Sequence, residues 1–212
     1  MDTAPSPWPR LADAWWVYLL GAIELVLFPI GLVARVRCSV GQCAGSWVES
    51  AVDLDAIDGL PRLLITGLFA GVAVLGWRVA RRLRGLERIW WAAIAGVGVV
   101  LALAKLVSVH STAKHASPVL ALAVGVALAA AALGGLAATG RRCGIAGARP
   151  VVVALAAYAA AALGLDAIGS AVLASHPHAL LLGAGCTFVE ELGEAVTALI
   201  VVVAVRWNLP PR

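Results

Sequence analysis

The sequence predicts an all-α, polytopic integral membrane bundle of about six transmembrane helices. Hydrophobic residues make up 62% of the 212 residues and charged residues only 13%, with a mean hydropathy of +0.95. Soluble domains are roughly 45–50% apolar and about 25% charged. A helix needs about 20 apolar residues to cross a bilayer, and six runs of about that length fit into the chain. These observations predict one compact domain in contact with the lipid bilayer.

The six predicted spans are joined by short connections, except for one long loop outside the cytoplasm at residues 35–62. The first apolar run is longer than the core of a cleavable signal peptide, so we expect it to be retained as a span. A single transmembrane domain over residues 1–212 follows. Its approximate spans are residues 14–33, 63–79, 90–109, 118–138, 150–174 and 179–205.

Basic residues are concentrated on one side of the predicted bundle. Lys and Arg are enriched in cytoplasmic loops, so this bias predicts a multi-pass protein of the cell membrane with both termini in the cytoplasm. It also accounts for the net charge of +4 without nucleic acid as a partner. Eleven of the 16 basic residues fall on this side: Arg10, Arg78, Arg81, Arg82, Arg84, Arg88, Arg141, Arg142, Arg149, Arg206 and Arg212. On the other side fall Arg35, Arg37, Arg62 and Lys114.

Span 1 begins with Trp15 and Trp16, which are typical of an interfacial aromatic belt. Glu24 lies at its middle. A charged side chain at bilayer depth costs at least ~2.5 kcal/mol on insertion scales, so such residues face the protein interior or water. Pro29 removes one backbone hydrogen bond, which we interpret as a tolerated kink.

The long outer loop contains Cys38 and Cys43, five positions apart. We expect them to form a disulfide, because the predicted orientation places this loop in an oxidising compartment. Two free thiols or a metal pair are the alternatives. Ser46 and Glu49 match a capping box, which predicts a short helix at the outer interface.

Spans 2 and 4 lack ionisable residues in their apolar cores, so we interpret them as scaffold. The many small residues of span 4 favour close helix packing. Span 3 contains Lys105 near its outer end. Its ammonium group can reach the outer surface along the flexible stem or pair with an interior carboxylate, and both alternatives stay open.

Spans 5 and 6 carry most of the deep acidic residues. Asp166 lies in span 5, and three glutamates lie near the middle of span 6. Their i,i+3 and i,i+4 spacings place the three on one broad helix face, which requires partners from other spans. The predicted intramembrane polar cluster consists of Glu24, Lys105, Asp166, Glu190, Glu191 and Glu194.

Five acids and one lysine cannot all remain ionised in a low-dielectric interior without counter-ions, so we expect some acids to be protonated or hydrated. This predicts an acidic intramembrane cavity that binds or translocates a proton or another small cation. The alternative is a polar network that only fixes helix packing in a non-catalytic assembly subunit, as a homo- or hetero-oligomer.

Four histidines on the outer side provide a metal alternative. Imidazole and carboxylate both bind divalent metals, so these residues could pass a metal inward or serve a metal-dependent intramembrane enzyme. No cofactor is strongly implied. The chain contains no Walker loop, dinucleotide fingerprint or Gly-x-Ser-x-Gly elbow, which makes an enzyme the less favoured class. The histidines are His110, His115, His176 and His178.

Overall fold

The computed structural model describes residues 14–43, 45, 47–54, 56, 59–107, 117–176 and 178–209. These residues form helices and their connections, with no β-strand among them. The helices are α1 (Trp15–Ser39), α2 (Trp47–Val52), α3 (Leu60–Ala80), α4 (Gly85–Leu106), α5 (Pro118–Arg142), α6 (Ala148–Ala160), α7 (Asp166–Ser175) and α8 (Leu180–Trp207). A π-helical turn, Ala161–Leu165, joins α6 to α7.

The fold is an all-α membrane bundle, which confirms the predicted fold class. Within the described residues, α1, α3, α4, α5 and the continuous stretch Ala148–Ser175 are long and apolar enough to cross a membrane. Helix α8 has 28 residues, but its three glutamates make it more charged than these five. Large apolar side chains cover the outside of the bundle, where they can contact lipid.

The helices on either side of the predicted outer loop are longer than the predicted spans. Helix α1 continues past residue 33 to Ser39, and α3 already begins at Leu60, so the connection is shorter than residues 35–62. Gly41 then adopts a φ of 80°, which ends the helical path of the chain. Of the predicted capping box, Ser46 lies outside the described residues, and Glu49 lies in the first turn of α2.

Helices α3 and α4 form the most extensive helix pair, and two glycines allow their backbones to meet. A Cβ at Gly98 would lie only 2.7 Å from the backbone nitrogen of Ala73. At Gly76 it would lie 2.9 Å from the backbone nitrogen of Ala95. Small residues at such crossings allow close van der Waals packing, which replaces the hydrophobic driving force that lipid removes.

Helix α8 lies at the centre of the bundle and packs against α1, α3, α6, the π turn and α7. One of its faces is buried and consists largely of small or β-branched residues, including Ala195, Ala198, Val201 and Val205. Glu191 and Glu194 belong to the same face by helical spacing. The side chains of Glu191 and Glu194 therefore point into the contact region between helices.

Contacts between helix ends define a basic end of the bundle. The indole nitrogen of Trp90, near the start of α4, donates a hydrogen bond of 3.0 Å to the carbonyl of Leu136, near the end of α5. Gly147, just before α6, lies against the side chain of Asn208, which follows α8. The basic end therefore comprises the α3–α4 and α5–α6 connections and the end of α8. Its described arginines are Arg78, Arg81, Arg82, Arg84, Arg88, Arg141, Arg142, Arg149 and Arg206.

Candidate functional site

The structure brings Lys105 together with two of the predicted acids. Its Nζ lies 2.7 Å from Oε2 of Glu194 and 3.4 Å from both carboxylate oxygens of Glu191. The side chains of Glu191 and Glu194 are only 7% and 5% exposed, and that of Lys105 is 15% exposed. Of the two alternatives left open by the sequence, the ammonium group therefore takes the interior pairing rather than reaching the outer surface.

Tyr158 of α6 completes this group of side chains. Its hydroxyl donates a buried hydrogen bond of 3.0 Å to Oε2 of Glu194, the oxygen that also accepts from Lys105. The ring packs edge to face on Phe69 of α3, with 4.6 Å between ring centroids. This aromatic contact fixes the direction of the hydroxyl. We call Lys105, Glu191, Glu194 and Tyr158 the Lys105 centre.

Arg62 provides a second cation next to the Lys105 centre. It lies in the first turn of α3 and is 8% exposed, although the sequence placed it in the outer loop. Its charge attracts Glu191 and repels the ammonium group of Lys105. The charge of Arg62 partly offsets that of Glu191, which lowers the energetic cost of burying this carboxyl group. The surroundings of the Lys105 centre are therefore less acidic than its two carboxyl groups alone would make them.

Glu24, Asp166 and Glu190, the other predicted cluster acids, occupy different positions in the bundle. Glu24 and Asp166 are buried, at 2% and 6% exposure. Glu190 is half-buried. Asp166 begins α7, directly after the π turn, and Gly169 one turn later faces Cys186 of α8. This register places Asp166 at the level of Glu190.

The described part of the chain contains no group of side chains that would form the alternative metal site. His176 and His178 are exposed, and Nδ1 of His176 lies 3.3 Å from the carbonyl oxygen of Val172. Among the residues that the structure describes, no three His, Cys, Asp or Glu side chains are grouped as metal ligands. His110 and His115 lie outside the described residues.

A cavity lies at the end of the bundle opposite the basic end. It has a volume of about 400 Å³ and lies between the end of α1 and the start of α8. The ion pair of Arg35 with Asp53, at 3.4 Å, forms part of its wall. Cys38, which is joined to Cys43 in a disulfide, also lines it. Its described lining includes no member of the Lys105 centre.

Two residues near the carboxylates, Tyr158 and Arg62, were not predicted as members of the site. Tyr158 is one of only two tyrosines, and it interrupts an alanine-rich span, where a hydroxyl group needs a partner. That isolated position was a usable signal. Arg62 precedes the apolar core of span 2, so hydropathy alone assigned it to the loop.

We expect Tyr158→Phe to lower the free energy of unfolding by about 2 kcal/mol, because a hydrogen bond to a charged group is worth about 1.5–3 kcal/mol. The ring keeps its contact with Phe69, so the measured change in stability is due to the loss of the hydroxyl group. Thermal unfolding in detergent, followed by tryptophan fluorescence, measures the effect. Tyr18→Phe is the control, since Tyr18 is exposed. Equal stability of the two variants would contradict the hydrogen bond to Glu194.

Fold and site together define a helical membrane protein with a buried cluster of ionisable side chains between α4, α6 and α8. No family model, curated protein or solved structure matches this chain.

Proposed function

We propose that the polar interior of this bundle binds and translocates a proton or another small cation, with the Lys105 centre as its binding site. The observation that carries the proposal is the placement of one ammonium group between Glu191 and Glu194 in the membrane-embedded core. Ionisable residues at this depth are rare and usually mark ion pathways or proton relays. The arrangement offers carboxylate oxygens that can exchange one cation for another.

The distances suggest how a proton would act at this centre. A proton that arrives on Glu194 removes the charge holding Lys105 at 2.7 Å, and the ammonium group can then move toward Glu191. Tyr158 can keep its hydrogen bond to the oxygen of Glu194 during this step. One protonation event therefore leaves Glu191 as the remaining ion-pair partner of Lys105. The ammonium group of Lys105 would then have two positions, one for each protonation state of Glu194. Translocation requires two such states of a binding site.

Reconstitution into liposomes with a trapped pH dye and a metal-sensitive dye tests the function. We expect proton flux from the native protein and a decrease of at least about 100-fold for Glu191→Gln and Glu194→Gln, the size of effect typical of a lost proton-transfer group. Glu190→Gln tests the third acid of α8. Glu87→Gln is the matched control, because Glu87 is exposed near the start of α4.

Metal flux abolished by His176→Ala and His178→Ala would favour the metal alternative instead. Absence of both fluxes from a correctly folded native protein would contradict the proposal. It would favour a partner-binding subunit of a homo- or hetero-oligomer.

We further propose that the protein resides in the cell membrane with its basic end in the cytoplasm, as the positive-inside rule requires. Both termini then lie in the cytoplasm, and the disulfide lies outside. Thiol labelling in intact cells measures this orientation. We expect a membrane-impermeant reagent to label reduced Cys38 and Cys43 but to leave Cys143, near the basic end, unlabelled. The reverse pattern would show the opposite orientation.

A further inference from the structure

Glu24 differs from the acids of the Lys105 centre because it is buried without a counter-charge. It lies near the middle of α1 and is 2% exposed. Its Oε1 atom has no hydrogen-bond partner, and no ion pair reaches the carboxyl group within the described residues. A buried polar atom of this kind requires an explanation, such as a bound water, an ion or a proton.

Among the described residues, the helices around Glu24 offer no free cation to neutralise a carboxylate. Helix α1 packs against α2, α3 and α8. On α8, Glu191 and Glu194 hold Lys105. On α3, Arg62 acts on Glu191. An ionised carboxylate without a paired charge is very costly in a low-dielectric interior, and in practice such a group becomes neutral.

A proton fits this position better than a metal ion does. Metal cations such as Ca²⁺ require about six to eight oxygen ligands, and Glu24 contributes a single carboxyl group. Among the described residues, no group of metal-binding side chains includes it. A proton needs one carboxylate oxygen only, and it removes the uncompensated charge.

The depth of Glu24 matches that of the Lys105 centre. Helices α1 and α8 run in opposite directions, since the cavity opposite the basic end is lined by the end of α1 and the start of α8. Gly21, one turn before Glu24, faces Leu199 of α8. The antiparallel register therefore places Glu24 within about one turn of Glu194, on the α1 side of the central helix.

We propose that Glu24 is a second proton-binding site, which holds its proton as a neutral carboxylic acid and exchanges it during translocation. Its protonated state follows from burial and the missing counter-charge. Its part in translocation rests on the proposed function. The interior then contains two kinds of acid: a neutral one on α1 and two ion-paired carboxylates on α8.

Infrared difference spectroscopy of the purified protein at neutral pH tests the protonated state. We expect the carbonyl band of a protonated carboxylic acid in the native protein, its shift in heavy water, and its loss in Glu24→Gln. Glu191→Gln is the control and should retain the band. Identical spectra of the native protein and Glu24→Gln in this region would overturn the proposal. Glutamine closely resembles a neutral glutamic acid, so we also expect the thermal midpoint of Glu24→Gln to stay unchanged.

Flux measurements in liposomes separate the two parts of the inference. Loss of proton flux in a stable Glu24→Gln variant, by about 100-fold, supports exchange of this proton during translocation. Native flux in that variant overturns the exchange step, even if the infrared band is present. A native protein that shows the band but carries no flux contradicts the proposed function, and the proton site at Glu24 stands independently of it.

Discussion

Replacing Lys105 by methionine is expected to lower the free energy of unfolding by about 3–5 kcal/mol, because removing one partner of a buried ion pair leaves uncompensated charge. Methionine fills a similar volume, so the loss is mainly electrostatic. Glu191 and Glu194 would then repel each other with only Arg62 nearby. We expect a clear decrease of the thermal midpoint in detergent, measured by the fluorescence of the eight tryptophans.

The triple variant Lys105→Met, Glu191→Gln, Glu194→Gln is the matched control for this experiment. It removes all three charges together, and replacing a complete buried ion pair is often neutral or stabilising. We therefore expect it to regain most of the stability lost in Lys105→Met. A triple variant as unstable as the single variant would show that the lysine stabilises the bundle by packing rather than by charge.

Replacing Gly98 by valine should separate α3 from α4 and lower the free energy of unfolding by about 3 kcal/mol, the upper part of the range for overpacked cores. A Cβ at this position would lie 2.7 Å from the nitrogen of Ala73 and 2.9 Å from the carbonyl oxygen of Phe69. Both atoms belong to the backbone, so no side-chain rotation can relieve the overlap. The helices themselves must move.

Gly96 provides the comparison on the same helix, since a Cβ there meets no atom within 4 Å. We expect Gly96→Val to have little effect on the thermal midpoint. Because Lys105 lies two turns beyond Gly98 on α4, Gly98→Val should also weaken proton flux, whereas Gly96→Val should not. Equal midpoints for the two variants would contradict the close contact between α3 and α4.

The partners of the acidic residues show how far sequence reasoning extends in this protein. Depth in an apolar run identified Glu191 and Glu194 as interior groups, since lipid excludes charge from its core, but it left open whether Lys105 pairs in the interior or reaches the surface. Helical spacing placed the two glutamates on one face. The same reasoning joined Glu24 to this cluster, yet the structure gives Glu24 no partner within the described residues. Residue spacing shows which residues share a face of one helix. It does not show which other helix packs against that face.

The amino-acid sequence by itself determined the class of fold and the existence of buried ionisable residues. These properties follow from hydropathy and helical period, which are local along the chain. Only the tertiary structure decided that α8 is central, that Tyr158 bonds to Glu194, and that α3 and α4 meet at Gly76 and Gly98. These outcomes depend on packing between helices that are distant in sequence. Small residues and buried polar groups determine which helices pack against each other.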